Sequence, residues 1–164
     1  PNKGTAALSE WMGGQLGSLT PNDLTWVRER WPRKLILKGI LDADDVRLAL
    51  AVGADAVVVS NHGGRQLDGA TSTIAALPRI VDAVQGRCEV LMDGGIDSGQ
   101  DVLKAIASGA RACLIGKSYL FGLAAQGEAG VALALDILRR EFEVSMALTG
   151  FNDARSVNRA ALVS

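Results

Sequence analysis

The sequence is poor in several residue types, and each scarcity argues against a class of protein. Aromatic residues make up 4% of the 164 residues, there are two cysteines, and His62 is the only histidine. Cys88 and Cys113 lack the spacing of metal ligands, which favours a reduced, cytosolic protein over a disulfide framework. The sequence shows no metal-ligand cluster, Walker loop or Ser-His-Asp order, and we therefore predict no metal site.

Charge excess and long apolar runs are also missing. The chain has 17 basic and 18 acidic side chains, which argues against a nucleic-acid partner or an anionic membrane surface. No uninterrupted apolar run approaches the roughly 18–20 residues of a membrane span. The first residues do not resemble a signal peptide, and the last residues, 161–164, are not a peroxisomal address. We expect a cytoplasmic protein, with the inner face of a bacterial membrane as a further location.

Short, continuous apolar runs alternate with helical patterns along most of the chain. The four runs are Leu35–Leu37, Ala56–Val59, Val90–Met92 and Ala112–Ile115. Continuous runs are typical of strands buried on both faces, and intervening helices predict parallel pairing with right-handed crossovers. We predict helices over Asp23–Arg30, Asp42–Val52, Thr73–Val84, Ser98–Ser108 and residues 128–148. The fold class is therefore α/β.

An internal repeat favours a barrel. Shifting the chain by 56 positions places Leu35–Asn61 on Leu91–Lys117, with ten of 27 positions identical. The repeating unit is βαβ, and closing a TIM barrel needs about eight βα pairs, of which four are present. An open, doubly wound sheet is the structural alternative. The chain begins with Pro1 in a Gly-rich segment, and we expect it to be a piece of a longer polypeptide.

Each predicted strand is followed by polar or Gly-rich residues, which a parallel sheet gathers at one edge. These segments are Lys38-Gly39, Ser60–Arg65, Asp93-Gly94-Gly95 and Gly116-Lys117. A histidine near neutral pKa beside an arginine suits proton abstraction from a carboxylate-bearing substrate. The alternative is that Arg65 forms a structural ion pair and His62 hydrogen-bonds to the backbone.

The other strand ends suggest an anion site. Lys38 could hold an anion or stabilise a reduced, electron-poor ring, or it could simply extend its ammonium group into solvent. The glycine turns at Gly94-Gly95 and Gly116 precede helices and leave backbone N–H groups for a phosphate. The alternative is that these glycines serve only tight turns.

The segment Ser60–Asp68 (SNHGGRQLD) closely resembles the FMN-dependent α-hydroxy-acid oxidase and dehydrogenase family, which includes glycolate oxidase, L-lactate dehydrogenase and mandelate dehydrogenase. Neighbouring Leu37-Lys38-Gly39, Asp93-Gly94-Gly95 and Gly109-Ala110 agree with it. The likeness covers roughly residues 11 to 155 and implies strands five to eight of a TIM (β/α)8 barrel. Residues 1–20 would then belong to a long active-site loop, and 21–164 to the C-terminal half of one FMN-binding domain.

The resemblance implies a role for each matching residue. His62 would be the active-site base, and Arg65 would bind the substrate carboxylate. The positions expected at the cofactor are Lys38 and Ser60 at the flavin, Asp93 at the ribityl chain, and Gly94, Gly95 and Gly116 along the phosphate. The family oxidises an L-2-hydroxy acid to a 2-oxo acid, with FMN accepting two electrons. Which 2-hydroxy acid and which final electron acceptor are used stay open.

Two positions depart from the family pattern. Asp97 and Lys117 stand where the family usually has arginine, facing the cofactor phosphate. Lysine meets a phosphate as a point charge without a bidentate fork, and aspartate repels it. The resemblance also implies an N-terminal half as a partner, carrying the carboxylate that orients the histidine, and a homo-oligomer, a tetramer in the family.

Two alternative functions stay open from the sequence. One is a non-catalytic half-barrel that binds a phosphate-bearing ligand or acts as an assembly subunit. The other is a different TIM-barrel enzyme for FMN or a phosphate, such as an isomerase, which does not account for Ser60–Asp68.

Overall fold

A computed structural model describes residues 20–162, in which helices surround one parallel sheet. The strands are β1 (Ile36–Ile40), β2 (Ala56–Val59), β3 (Glu89–Met92) and β4 (Ala112–Cys113). The helices are α1 (Pro21–Arg30), α2 (Ala43–Ala51), α3 (Thr73–Val84), α4 (Gly99–Ala107) and α5 (Lys117–Leu148). Single 3-10 turns lie at His62–Gly64, Ala154–Ser156 and Arg159–Ala161. The predicted α/β architecture is confirmed.

The four strands pair in parallel in the order β1-β2-β3-β4. Strand β2 is buried along its whole length, as its continuous valines predict. Strand β4 is shorter than predicted: it ends at Cys113, and Leu114 continues the edge through a backbone hydrogen bond to Met92. The register between β1 and β2 shifts between Lys38 and Ile40, at Gly39.

The core lies between the sheet and helices α2 and α3. All but one of its fully buried side chains belong to these elements: Val46, Ala49, Val57, Val59, Ala76, Leu77 and Ile80; the other is Ala105 of α4. Helix α3 runs without interruption through Pro78, although the pyrrolidine ring removes one backbone donor. A second, smaller cluster joins α4 to α5 and the C-terminal turns. Burial of the apolar faces of α2 and α3 therefore anchors the sheet.

The 56-residue repeat is visible in the structure. Helices α2 and α4 have equivalent bounds, and the residues before them, Asp42 and Ser98, each accept a hydrogen bond from the first helical turn. After both helices the same backbone bonds recur, from Ala54 to Ala49 and from Ala110 to Ala105. The predicted repeat is therefore one of local geometry as well as of sequence.

Helix α5 is broken within its length and packs on α4. Gln126 and Gly127 have non-helical backbone angles, which divides the helix close to the predicted boundary at residue 128. By length and composition α5 is long and apolar enough to cross a membrane, a property found for no other helix of the described residues. Its break and its contact with Gly99 of α4 are those of a helix packed against protein.

Asp55 ties α1 to the first two strands. Its carboxylate accepts hydrogen bonds from Lys34 Nζ at 2.7 Å and from the backbone N–H of Leu35 at 2.9 Å, and Arg28 lies 3.5 Å away. The hydrogen bond from Lys34, followed by that from Leu35, lowers the pKa of Asp55 below its ordinary value of 3.8. The ionised carboxylate thus stabilises the entry to β1.

We expect Asp55→Asn to lower the thermal unfolding midpoint at neutral pH. A depressed pKa in the folded state contributes stability above pH 3.8, and that contribution is lost as the pH falls below it. The difference between the variant and the parent should therefore shrink towards pH 3. Thermal melts over this pH range measure it, with Asp82→Asn, an exposed carboxylate of α3, as the control. Equal midpoints at neutral pH would contradict the prediction.

Candidate active site

A cavity of about 280 Å³ opens at the carboxyl ends of the strands. Its polar side chains are Lys38, His62, Arg65, Asp93, Asp97 and Lys117. The sequence predicts Lys38 after the first strand, but it lies within β1, whereas His62 and Arg65 follow β2, Asp93 and Asp97 follow β3, and Lys117 begins α5. Gly63, Gly94, Gly95 and Gly116 also line the cavity, with Ile96, Leu114, Ile115, Tyr119 and Leu120 as the larger apolar side. The structure thus brings nearly every predicted site residue to one cavity; Ser60 lies beneath it, bonded to Lys38.

Lys38, Ser60 and Asp93 form a polar cluster across three neighbouring strands. Lys38 Nζ lies 2.8 Å from Asp93 Oδ2 and donates to Ser60 Oγ at 2.9 Å. The second carboxylate oxygen, Asp93 Oδ1, is buried and has no hydrogen-bond partner among the described residues. A buried acceptor without a donor is costly, so this oxygen favours a ligand that carries hydroxyl or N–H groups.

His62 lies in a tight turn directly after β2. Its backbone φ is +56°, in the left-handed region, and Asn61 Oδ1 accepts the backbone N–H of Gly63 at 3.0 Å to hold the turn. The imidazole packs against Gly39, where an added Cβ would lie 3.0 Å from His62 Cε1. Gly39 therefore makes room for the ring, a role that the sequence analysis did not assign to it.

Neither the His62 ring nor the Arg65 guanidinium forms a hydrogen bond or ion pair with residues 20–162. Arg65 is exposed at the cavity, and its backbone N–H is bonded to the carbonyl of His62 at 3.4 Å. The structural alternative for these residues, an ion pair and a backbone hydrogen bond, is not seen within the described chain. A base and an arginine fork therefore face the same space with their polar atoms available to a ligand.

Thr73 and Asn61 both pack against Gly94 in the turn after β3. Thr73 Oγ1 donates to the carbonyl of Gly94 at 2.9 Å, and its side chain is almost fully buried. On the other side, Asn61 Oδ1 lies where a Cβ on Gly94 would approach to 2.9 Å. The sequence predicts Thr73 only as the first residue of a helix, because no local signal indicates its bond to Gly94.

The remaining predicted residues lie at the end of the cavity nearest α4 and α5. Gly116 directly precedes α5, which begins at Lys117, while Gly95 and Asp97 lie between β3 and α4. Lys117, Asp97, Gly95 and Gly116 are all exposed. Backbone N–H groups and one ammonium group can bind an anion here, and the carboxylate of Asp97 opposes it.

Cys113 ends β4, and its environment keeps its thiol inert. Burial raises the pKa of its thiol to about 11, so the thiolate is scarce at neutral pH. Cys88 is also free, and burial raises the pKa of its thiol as well. The described part of the site therefore offers acid–base chemistry at His62 without an activated thiol.

The fold and the site together are typical of a class: α/β enzymes in which a histidine, an arginine and glycine-rich turns gather at the carboxyl ends of parallel strands. The profile of one family, FMN-dependent dehydrogenase, matches residues 1–164. The chain belongs to this family, whose cofactor is FMN.

Curated relatives and solved structures agree with this assignment. The chain is 49% identical over 161 residues to an L-lactate dehydrogenase of Caulobacter vibrioides (strain NA1000 / CB15N), a match that covers 96% of this chain and 42% of the relative. It is 50% identical over 155 residues to an L-lactate dehydrogenase of Stenotrophomonas maltophilia (strain K279a), a match that covers 94% of this chain and 41% of the relative. The chain therefore spans less than half the length of these relatives.

Solved structures of mandelate oxidase match the fold of the chain. A variant with 4-Br-2-hydroxy-methylphenylacetate superposes with a TM-score of 0.81 at 48% identity, covering 85% of this chain and 44% of the oxidase. A variant with a monooxide FMN adduct gives a TM-score of 0.78 at 47% identity, covering 87% of this chain and 44% of the oxidase. The described sheet is therefore part of an α/β barrel, and the open, doubly wound alternative is set aside.

The residues at the cavity fit FMN. Asp93 Oδ1 is a buried acceptor without a donor, which a ribityl hydroxyl can satisfy, and Lys38 supplies a cation beside it. The glycine edge at Gly95 and Gly116 is open, since a Cβ at either would meet no atom within 4 Å. A phosphate can approach that backbone closely.

Proposed function

We propose that the chain is part of an FMN-dependent enzyme that oxidises an L-2-hydroxy acid, of the lactate, glycolate or mandelate type, to the 2-oxo acid. The observation that carries the proposal is the common cavity of Lys38, His62, Arg65 and Asp93. The relatives are named L-lactate dehydrogenase and mandelate oxidase, and both lactate and mandelate are 2-hydroxy acids.

Three side chains at the cavity have separate roles in the proposed reaction. Arg65 binds the substrate carboxylate, because its guanidinium fork faces the cavity and matches a carboxylate in charge and shape. His62 accepts the proton that leaves the substrate as it is oxidised. FMN, when bound, accepts the two electrons, and Lys38 places a positive charge beside it.

The cofactor would be held mainly by the strand ends. Asp93 accepts hydrogen bonds from the ribityl chain, and Ser60 lies at the flavin through its contact with Lys38. Gly94, Gly95 and Gly116 provide the backbone along the phosphate, with Lys117 as its cation. Asp97 lines the same end of the cavity, where its negative charge repels the phosphate.

The rest of the barrel is part of the proposal. In the described residues β1 and β4 each pair on one side only, and Ile36 of β1 is 50% exposed. Four large aliphatic residues, spaced so that they share one face of α5, are also about half exposed or more: Leu133, Ile137, Val144 and Leu148. We propose that an N-terminal half-barrel covers these surfaces, because unpaired strand edges and apolar stripes are normally covered.

Anaerobic reduction of bound FMN tests the proposed function. The chain is produced together with the part of the Caulobacter vibrioides relative that it does not span, and is loaded with FMN. Addition of L-lactate, glycolate or L-mandelate should bleach the visible FMN band, and D-lactate should not. FMN binding without bleaching by any 2-hydroxy acid would instead favour the non-catalytic half-barrel. Size-exclusion chromatography of the same sample tests the proposed homo-oligomer.

Removing the negative charge at Asp97 should strengthen FMN binding. Asp97 lines the same cavity as Lys117, so Asp97→Asn should lower the Kd for FMN by about three- to tenfold at low ionic strength. The effect should shrink in high salt because exposed charges are screened. Fluorescence quenching of FMN measures both values, with Asp82→Asn as the control for net charge. A Kd that is unchanged at low salt would place the phosphate elsewhere.

A further inference from the structure

The hydroxyl of Ser60 is shared by two residues of the proposed site. Ser60 follows β2 and is fully buried. Its Oγ accepts a hydrogen bond from Lys38 Nζ at 2.9 Å and another from the backbone N–H of His62 at 3.1 Å. One oxygen atom therefore joins the cation of β1 to the backbone of the turn that carries the base.

The bond to Lys38 limits where its ammonium group can point. An ammonium has three N–H donors, and two of them are taken by Ser60 Oγ and Asp93 Oδ2. The third is left for a ligand in the cavity, which Lys38 lines. With two fixed acceptors on neighbouring strands, a long and flexible side chain is held in one direction.

The bond to His62 supports an uncommon backbone conformation. A residue with a Cβ at φ +56° is disfavoured, and it persists where the surroundings hold it. The acceptor at Ser60 and the packing of the imidazole on Gly39 both act on this turn. The direction of the base thus depends on the same atom as the direction of Lys38.

We propose that Ser60 is a positioning residue, whose single hydroxyl oxygen sets the place of Lys38 relative to His62. This inference rests on the proposed function for its catalytic consequence, and adds to it a coupling between the cation and the base. Ser60 acts through these two residues, whatever contact it also makes with the flavin.

Ser60→Ala tests the coupling first without cofactor. Amide hydrogen exchange of His62, followed by NMR, should become about tenfold faster because its backbone N–H loses its acceptor. Ser60→Thr keeps a hydroxyl and should restore slow exchange. Ser60→Val has the shape of the threonine variant but no hydroxyl, and it should not restore slow exchange. Ser145→Ala removes a buried hydroxyl that bonds within α5 and serves as the control. Native exchange at His62 in Ser60→Ala would overturn the proposal.

The second set of measurements uses the FMN-loaded protein. Ser60→Ala should weaken FMN binding, and its effect should be non-additive with that of Lys38→Met, since both changes remove the same oriented cation. It should also lower kcat while KM is kept, because Arg65 is untouched, and it should shift the pH profile of kcat. Additive effects on the FMN Kd, or an unchanged kcat and pH profile, would overturn the proposal.

These measurements separate the two proposals. If FMN binds but no 2-hydroxy acid bleaches it, the proposed function fails, and the exchange of His62 and the double-variant Kd still decide whether Ser60 couples the two residues. If the parent protein turns over and Ser60→Ala behaves like Ser145→Ala throughout, the coupling fails while the proposed function stands.

Discussion

Replacing His62 by asparagine should lower kcat by about 10²- to 10⁴-fold, the contribution typical of a positioned acid–base group. The imidazole faces the cavity with no protein partner among the described residues, so its loss removes the proton acceptor and little else. Asparagine tolerates the left-handed backbone region well, so the turn at φ +56° should persist. Steady-state kinetics with an L-2-hydroxy acid measure the loss, and the visible FMN spectrum should be retained.

The control for His62→Asn is Gln85→Asn. Gln85 is the other non-glycine residue of the described chain with a positive φ, +52°, and it lies at the end of α3. Introducing asparagine in the same backbone region but away from the cavity should therefore leave kcat unaltered. If His62→Asn keeps full turnover, His62 is not the base, and the proton must leave by another group.

A large loss of stability should come from Gly99→Ala. Gly99 begins α4 where it crosses α5, and an added Cβ would lie 2.5 Å from the backbone carbon of Glu141 and closer still to the nitrogen of Phe142. Backbone atoms cannot rotate away, so the two helices must separate. Overpacking of this kind costs about 1–3 kcal/mol or more, which corresponds to a fall of roughly 2–12 °C in the unfolding midpoint.

The separation of the helices should also break a hydrogen bond. The N–H of Gly99 donates to Glu141 Oε2 at 2.8 Å across this contact. Thermal unfolding followed by circular dichroism checks the prediction, with Gln100→Ala, the exposed next residue, as the control. A midpoint within about a degree of the parent would show that α4 and α5 are not in backbone contact.

The elements that the sequence predicts well are those with local signals. The bounds of α3 match their prediction because an apolar helical pattern ends at a left-handed residue, Gln85. The capping pair of Ser98 and Asp101 also forms as predicted, since it depends only on residues three apart. Strand β4 is shorter than its apolar run because strand length depends on the neighbouring strand, which the run does not encode.

In the candidate site, too, the sequence predicts the features set by topology but not those set by tertiary contacts. The gathering of Lys38, His62, Arg65 and Asp93 follows from parallel topology, because strand ends meet at one edge. The contacts between them do not follow, since the pairing of Lys38 with Asp93 depends on rotamers and strand register. The position of Gly39 beneath the imidazole is likewise a tertiary contact. The roles of these residues stay predictions until the variants are measured.

The simple strand order also bears on how the chain folds. Each strand pairs with its neighbour along the chain: Ile36 with Ala56, Ala56 with Glu89, and Leu91 with Ala112, separations of 20, 33 and 21 residues. The entropy of closing such loops grows only slowly with length, and no pairing in the described sheet requires a distant segment first. The described sheet can therefore grow one strand at a time as the chain leaves the ribosome.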